Sequence, residues 1–430
     1  MNLSLFIANR INKHENSAFA SFIVRLAIIS VALGVSVMII TTCLVMGFKN
    51  QIKSKVFDFW GHIHLNAPEY NQAIEPKPLS LSKGLIDTIL DVRHVPYTEE
   101  RRLFNIYLGP SEKNTSSGIE HLQGFVQLPG IISADNQIEG LVLKGVNEDF
   151  DTAFLHKYLV SGNGKLADDS LSRTIIISQT TASRLNLQSG DNIVVYFVVG
   201  GSQVGRKFEI SGIYKTGLEE YDRKFAICEA SVLQKLLNWQ KDQYTGYEIF
   251  VKDLNDLEVI NDYLYAEILP TDVFSSTIRN KFPGIFEWLQ LQDYNEVVIL
   301  GLMIAVCLIN MATVLIIFIL NRLKMIGILK TLGMTNRSLR TIFLIQAGRI
   351  ILFGLIWGNI VGLGLAWLQY HFKMIKLNEA DYYLSIAPIE FSFSAIVTIN
   401  LVTLVIIMLF LILPSALVAR ISPVRTIEYN

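Results

Sequence analysis

Residues 297–341 read VVILGLMIAVCLINMATVLIIFILNRLKMIGILKTLGMTNRSLRT, and this stretch decides the fold. Its first 24 residues contain no charged side chain, and that length of helix crosses the roughly 30 Å hydrocarbon core of a bilayer. The next 21 residues carry five basic side chains and no acidic one. Because short basic loops stay on the cytoplasmic side, the pattern predicts a membrane helix followed by a cytoplasmic turn.

Three further apolar runs of comparable length occupy residues 26–46, 342–368 and 393–418. The composition agrees, with 51% hydrophobic residues and a mean hydropathy of +0.39. Basic residues precede the first run and follow the last, so four spans with the basic loop inside place both termini in the cytoplasm. Aromatic residues, among them Trp60, Trp288 and Tyr294, are expected at the outer boundary, where amphipathic rings accumulate.

The predicted fold is an integral membrane α-helical protein with four transmembrane helices and a large α+β extracytoplasmic domain inserted between helices 1 and 2. The predicted segments are an N-terminal cytoplasmic interfacial helix (1–20), a first membrane helix (21–48), the extracytoplasmic domain with its stalk helices (49–293), a second membrane helix (294–320), a cytoplasmic coupling helix (321–341), a third membrane helix (342–368), a short outer loop (369–391), a fourth membrane helix (392–419) and a cytoplasmic tail (420–430). A disordered start is the alternative to the interfacial helix.

The large polar segment alternates β-branched strands with short amphipathic helices. Strands are predicted at 61–67, 141–145, 174–178, 193–199, 207–214, 225–228 and 247–251, and helices at 80–90, 180–187, 230–237 and 254–268. Strands 193–199 and 207–214 flank a glycine-rich hairpin tip, which is either a partner-docking finger or an ordinary loop. The residues of this tip are Gly200, Gly201, Ser202, Gln203, Val204, Gly205 and Arg206.

Signatures of catalysis are missing from the sequence: it has no G-x-x-x-x-G-K-[ST] phosphate loop, no H-E-x-x-H pair and no G-x-S-x-G elbow. His62 and His64 alternate on a strand and are predicted to be satisfied structural histidines rather than metal ligands. The three cysteines offer no disulfide framework, and the net charge of −1 gives no indication of nucleic acid binding. The prediction is a membrane protein without catalytic, cofactor or metal residues.

Arg349 is the one charge inside a span, and intramembrane charges are functional candidates by default. Its long stem can reach the headgroups, or its guanidinium can hydrogen-bond Asn310 or Asn400 on neighbouring spans. A role in transport is the competing hypothesis.

Several motifs resemble those of ABC transporter permeases of the FtsX-like and MacB-like superfamily, above all the lipoprotein-releasing permeases of the Lol system. These motifs are FIANR (6–10), ALGV (32–35), MGF (46–48), IGILKTLGMT (326–335) and LPSA (413–416). The sequence departs from the family at Met325, where an acidic residue is common, and at the hairpin tip, which lacks prolines and a bulky apolar end.

The resemblance implies that residues 321–341 bind a separate cytoplasmic ATPase. An apolar helical patch with basic neighbours fits that role, and a lipid-resting amphipathic helix is the alternative. Gly333 is expected to end the helix. The predicted ATPase-coupling residues are Lys324, Ile326, Gly327, Ile328, Leu329, Lys330, Leu332, Gly333 and Met334.

The family also implies an inner-membrane location and partners. These are an ABC ATPase dimer, a second permease subunit of the same or a related kind, membrane lipid, a lipoprotein substrate and a periplasmic carrier, with no nucleic acid. Lipoprotein release is the leading prediction; a MacB-like exporter of peptides or drugs and a regulator of an extracytoplasmic partner are the alternatives.

Overall fold

Four long helices dominate the computed structural model, which describes residues 18–68, 76–103, 106–134, 137–147, 150, 153–167 and 173–420. Each is long and apolar enough to cross a membrane, so the described residues contain four candidate membrane helices, as many as the sequence predicts. They are TM1 (Ala18–Trp60), TM2 (Pro283–Leu320), TM3 (Asn336–Phe372) and TM4 (Phe393–Ser415). The sequence predicts that the first two membrane helices continue outward as stalks. In the structure TM1 continues to Trp60 and TM2 begins at Pro283, so both helices are longer than the predicted spans.

The chain divides into two compact units. Of the described residues, the membrane unit contains those up to Gln51, Glu287–Leu377 and those from Ile386 to Arg420. The sheet unit contains Ile52–Phe286 and Asn378–Ser385. Residues 1–17 of the predicted interfacial helix and residues 421–430 of the predicted tail lie outside the described residues, whereas Ala18–Ala20 form the start of TM1.

Glycines on one face of TM3 bring TM1 close within the membrane unit. A Cβ at Gly354 would lie 2.7 Å from Val31 Cβ, and one at Gly358 would lie 2.7 Å from Val35 Cβ. Such small-residue faces let membrane helices pack at short range, where van der Waals contact replaces the missing hydrophobic driving force. TM1 therefore packs on TM3 through a glycine face.

The sheet unit contains twelve strands among the described residues. They are β1 (Ile63–Asn66), β2 (Pro96–Leu103), β3 (Ile106–Asn114), β4 (Ile119–Ala134), β5 (Gln137–Val146), β6 (Leu159–Gly162), β7 (Thr174–Ser178), β8 (Asn192–Val199), β9 (Ser202–Tyr214), β10 (Phe225–Glu229), β11 (Gly246–Val251) and β12 (Phe274–Thr277). The shorter helices of the chain are Lys83–Leu90, Ala153–Tyr158, Gln179–Leu185, Glu219–Asp222, Ala230–Leu237, Leu257–Tyr263 with a π-turn at Leu264–Ile268, Ile278–Lys281, Leu323–Thr331, Glu379–Tyr382 and Leu417–Arg420.

Ten of these strands form one mixed sheet in the order β12-β1-β11-β4-β5-β10-β7-β9-β6, with β8 pairing both β4 and β9; β2 and β3 pair separately. The pairs β5–β10 and β7–β9 are parallel and the other pairs antiparallel. A domain with parallel pairs and interleaved helices is α/β, which corrects the expected α+β class. Val126, Leu143 and Val195 lie in a buried core on this sheet with residues of neighbouring helices.

Candidate functional site

The helix Leu323–Thr331, which we call the coupling helix, lies between TM2 and TM3. It ends in a Schellman motif: the Gly333 N–H donates to Lys330 O at 3.0 Å and the Met334 N–H donates to Leu329 O at 3.0 Å. Gly333 has φ of +85°, a conformation that glycine adopts without steric cost. The predicted stop is confirmed, and Thr335 then caps TM3 by accepting from Ser338 N.

The coupling helix has an inner and an outer face. Ile326 is fully buried, and Leu329 and Met334 pack against the core of the membrane unit. Ile328 and Leu332, one turn apart, point outward with 56% and 78% of their surfaces exposed. The single apolar patch expected from the sequence is therefore divided, because the inner residues stabilise the unit itself. Lys324, one turn before Ile328, is exposed and completes the outer face.

The glycine-rich hairpin is shorter at its tip than expected. Gly200 and Gly201 alone form the turn, with φ of +57° and +73°. Positive φ at both positions is the hallmark of a two-residue type I′ turn. Ser202 to Arg206, predicted as tip residues, belong to β9, where Ser202 pairs with Val199 and Arg206 with Val195. The predicted seven-residue finger is thus a tight turn on a regular ladder.

The intramembrane polar residues form helix-to-helix bonds. Asn310 on TM2 donates to Ser30 Oγ on TM1. Asn359 on TM3 and Asn400 on TM4 exchange two amide hydrogen bonds of 2.7 and 3.0 Å. Such bonds satisfy amides that lipid cannot. Arg349 is half-buried on TM3, and its role stays a prediction.

A buried charged pair in the sheet unit went unnoticed in the sequence. Lys144 Nζ lies 2.7 Å from Glu248 Oε1, and both side chains are at most 1% exposed. Lys144 also donates to the Phe59 carbonyl, at 2.5 Å, near the end of TM1. Trp60, expected at the membrane boundary, is instead 1% exposed and packs within the sheet unit. No local signal reveals such a pair, because an alternating strand pattern does not say which polar residue faces inward.

The predicted outer loop also holds a group of contacts that the sequence did not indicate. Within the sheet unit, Lys215 Nζ pairs with Glu379 Oε2 at 2.6 Å, and Lys55 Nζ donates to Tyr383 O at 2.8 Å. Tyr383 has φ of +58°, which costs a non-glycine residue energy. Residues 378–385 therefore belong with the sheet unit rather than forming a free loop.

The predicted structural histidines both have hydrogen-bond partners. His62 Nδ1 accepts from Val251 N at 2.8 Å, and burial lowers the pKa of His62 to about 4. His64 Nδ1 lies 2.9 Å from Lys281 Nζ. Burial lowers the pKa of His64 well below its usual range, and the neighbouring lysines lower it further, so the ring is neutral and accepts from Lys281.

Comparison with known proteins identifies the class. A model of the MacB-like periplasmic core domain matches residues 25–263, more than half of the 430-residue chain, and a model of the FtsX-like permease C-terminal domain matches residues 297–423. The chain therefore belongs to the membrane permeases that combine a MacB-like periplasmic core with an FtsX-like C-terminal domain.

Individual relatives match along nearly the whole chain. The lipoprotein-releasing system transmembrane protein LolC of Xylella fastidiosa (strain 9a5c) is 23% identical, covering 97% of this chain and 96% of the relative. LolE of Haemophilus influenzae, a protein of the same description, is 22% identical over 100% of both chains. Among solved structures, the extracellular domain of the noncanonic ABC-type transporter YknZ from Gram-positive bacteria covers 50% of this chain and 99% of its own length at 12% identity, with a TM-score of 0.30.

Proposed function

We propose that this chain is the permease subunit of an inner-membrane ABC transporter that releases lipoproteins, driven by a separate cytoplasmic ATPase. The observation that carries the proposal is the outward-facing pair Ile328 and Leu332 on a capped helix between two membrane helices. Exposed apolar residues clustered on a loop helix are typical of a protein-binding surface. The chain has no phosphate loop of its own, so nucleotide hydrolysis belongs to a partner.

Lipoprotein as cargo is supported by the full-length similarity to lipoprotein-releasing transmembrane proteins. Each described membrane helix also contains an 18-residue stretch with at most two charged side chains, which favours moving an amphiphile over passing a hydrophilic solute. The proposed orientation has both termini and the coupling helix in the cytoplasm and the sheet unit in the periplasm.

An ATPase dimer that closes on ATP and opens after hydrolysis supplies two states, and a permease bound to both converts that difference into movement. Because the dimer presents two equivalent surfaces, the permease works in pairs, with itself or with a related chain. The remaining proposed partners are membrane lipid, the lipoprotein and a periplasmic carrier that receives it, for which the hairpin at Gly200–Gly201 is the proposed docking element.

The ATPase interface is tested with Ile328→Asp/Leu332→Asp, co-expressed with the partner ATPase that the proposal requires. Two charges on the outer face should abolish co-purification while membrane insertion continues, because Ile328 and Leu332 are exposed and contribute little to the core. The matched control is Gln188→Asp/Gln240→Asp, which adds the same charge at two exposed polar positions of the sheet unit, outside residues 321–341. Normal ATPase recovery with the first variant would place the interface elsewhere.

The cargo is tested by depleting the protein and fractionating the membranes. Accumulation of acylated proteins in the inner membrane is the expected result. Normal lipoprotein sorting together with altered tolerance to drugs or peptides would favour a MacB-like exporter, and normal sorting with altered activity of a cell-wall enzyme would favour a regulator.

A further inference from the structure

Polar side chains form a row across adjacent strands in the interior of the sheet unit. His64 on β1 pairs in register with Glu248 on β11, and Glu248 pairs with Gln123 on β4. Directly paired residues present their side chains on the same face of a sheet. Gln123 Nε2 donates to Glu248 Oε2 at 2.7 Å, and all three side chains are buried. Lys144 of β5 joins this group through its ion pair with Glu248, and we call His64, Gln123, Lys144 and Glu248 the charged row.

The charged row is bonded to the last turn of TM1. Lys144 from β5 donates to the Phe59 carbonyl at 2.5 Å while its ammonium lies 2.7 Å from Glu248 Oε1. Its Nζ also lies 5.0 Å from the centre of the Phe59 ring and 4.7 Å from that of Trp60, within the range of cation–π attraction. One lysine therefore connects the end of a membrane helix to the middle of the sheet.

Lys281, in the segment just before TM2, also contacts the charged row. It lies two residues before Pro283, the first residue of TM2. Its Nζ is 2.9 Å from His64 Nδ1 and 4.7 Å from the centre of the Trp60 ring. The end of TM1 and the segment just before TM2 thus both meet the charged row, and the ammonium groups of Lys144 and Lys281 each lie 4.7 Å from the centre of the Trp60 ring.

Burying these charges does not contribute stability in proportion to their number. Moving an ion pair out of water is costly, and apolar residues of similar volume often stabilise a fold equally well. Hydrogen bonds are directional, whereas apolar contacts are not. A charged pair with fixed donors therefore defines one direction of approach for the group that it bonds. Here that group is a backbone carbonyl at the end of TM1.

We propose that the charged row is a directional joint that holds the end of TM1 in one orientation on the sheet, so that tilting of this helix turns the sheet unit as a rigid body. The joint deepens the proposed function, on which its role in transport rests. Its positioning residues are Lys144 and Glu248, and Lys281 with His64 fixes the neighbouring entry to TM2.

The test replaces the pair by apolar residues, Lys144→Met/Glu248→Met, in the full-length chain with its three buried cysteines changed to alanine. Nitroxide labels at Lys53→Cys, on the TM1 end, and Gln240→Cys, beyond the helix Ala230–Leu237, report the distance between them by pulsed electron paramagnetic resonance. Both positions lie in the sheet unit. The double variant should fold and should broaden the distance distribution at least twofold, because packing remains but the directional bond is lost.

The control is Arg184→Met/Glu139→Met, which removes a more exposed ion pair of the same unit and should leave the distribution unchanged. An unchanged width in the Lys144→Met/Glu248→Met variant would overturn the joint. If that variant does not fold, Glu248→Gln, which keeps the shape of the side chain and removes its charge, should broaden the distribution to a smaller extent, and an unchanged width there would likewise overturn it.

The transport readout separates the two proposals. In a complex with the ATPase, the double variant should retain ATP hydrolysis while release of an acylated protein falls at least tenfold. Release at the parental rate with a broadened distribution would show that the joint is not used in transport. A third outcome is that the parental protein releases no lipoprotein and yet shows a narrow distance distribution that the double variant broadens. That result would contradict the proposed cargo but would support the joint.

Discussion

The burial of one side chain, Lys281, lowers the stability of the folded protein at neutral pH. The residue is half-buried, but its ammonium lies against the Trp60 ring and shares its surroundings with Lys144. Burial lowers the pKa of Lys281 to about 8, with Glu248 opposing and Lys144 adding to the shift. The folded state therefore binds the Lys281 proton more weakly than the unfolded chain does.

The direction of the pH dependence follows. Below pH 8 Lys281 is protonated in both the folded and the unfolded state, so its burial destabilises the fold to the full extent. As pH rises toward 10.5, the folded state loses this proton first, and the free energy of unfolding increases. Lys281→Met should raise the free energy of unfolding at pH 7 by about 1–2 kcal/mol. It should also flatten the rise in stability between pH 8 and 10.5, as measured by thermal unfolding.

Lys252→Met is the control for Lys281→Met, because Lys252 is exposed and its loss should change neither stability nor its pH profile. Lys144 contributes to the parental pH profile in the same direction, so the informative quantity is the difference between parent and variant. A lower unfolding temperature for Lys281→Met at pH 7 would mean that its bond to His64 outweighs the cost of burial.

Among the elements, TM1 and TM3 depend on the glycine face described above. A Cβ at Gly358 would lie 2.7 Å from Val35 Cβ and 2.9 Å from Ala32 O, so a larger side chain forces the helices apart. Gly358→Leu should lower the apparent melting temperature of the detergent-solubilised protein by several degrees and reduce its yield, since overpacking costs about 1–3 kcal/mol.

Gly364→Leu is the matched control for Gly358→Leu, because a Cβ at Gly364 of the same helix meets no heavy atom within 4 Å. Both variants lose a flexible residue and gain the same side chain. Equal melting temperatures for the two would contradict the close packing of TM1 on TM3.

The segment Asn378–Ser385 gives a second element-scale prediction. Lys55, on the TM1 helix, donates to Tyr383 O, and Lys215 pairs with Glu379. The ion pair is partly exposed and by itself contributes less than about 1 kcal/mol. Lys55→Met/Glu379→Gln removes both links and should make backbone amides of residues 378–385 exchange with deuterium at least tenfold faster.

Lys157→Met serves as the comparison for the double variant, since it removes a different ion pair of the sheet unit, with Asp58 at 2.6 Å. It should leave exchange in residues 378–385 unchanged. Unaltered exchange after Lys55→Met/Glu379→Gln would mean that these two links do not hold the segment and that other contacts, such as those of the buried Leu384, do.

At the scale of the whole molecule, the arrangement of basic loops predicts orientation. Single cysteines at Leu332 and at Gln188, both on exposed surfaces of the described chain, should react with a membrane-impermeant maleimide from opposite sides. In intact cells with a permeabilised outer membrane, Gln188→Cys should label and Leu332→Cys should not. Lysis should make Leu332→Cys reactive, and its labelling before lysis would reverse the proposed topology.

The sequence by itself determined the four membrane helices, the stop at Gly333 and all seven of the strands predicted in the sheet unit. Each is a local property: a span needs about 20 apolar residues, a Schellman motif needs one residue with positive φ, and a half-buried strand needs β-branched residues in alternation. Strand β4 is not predicted from the sequence, because Gln123, Gly124 and Pro129 break its alternation of polar and apolar residues. Pairing of this 16-residue strand with β5, β8 and β11 compensates for its weak local preference for a strand.

Only the tertiary structure decided which side of the coupling helix is available to a partner and which polar residues lie in the interior. Ile326 and Ile328 are two residues apart and equally apolar, yet one is fully buried and the other 56% exposed. Lys144 and Glu248 are 104 residues apart. Their meeting depends on β4, β5 and β11 being neighbours in one sheet, and a charge is tolerated in a core only where the fold brings its partner to it.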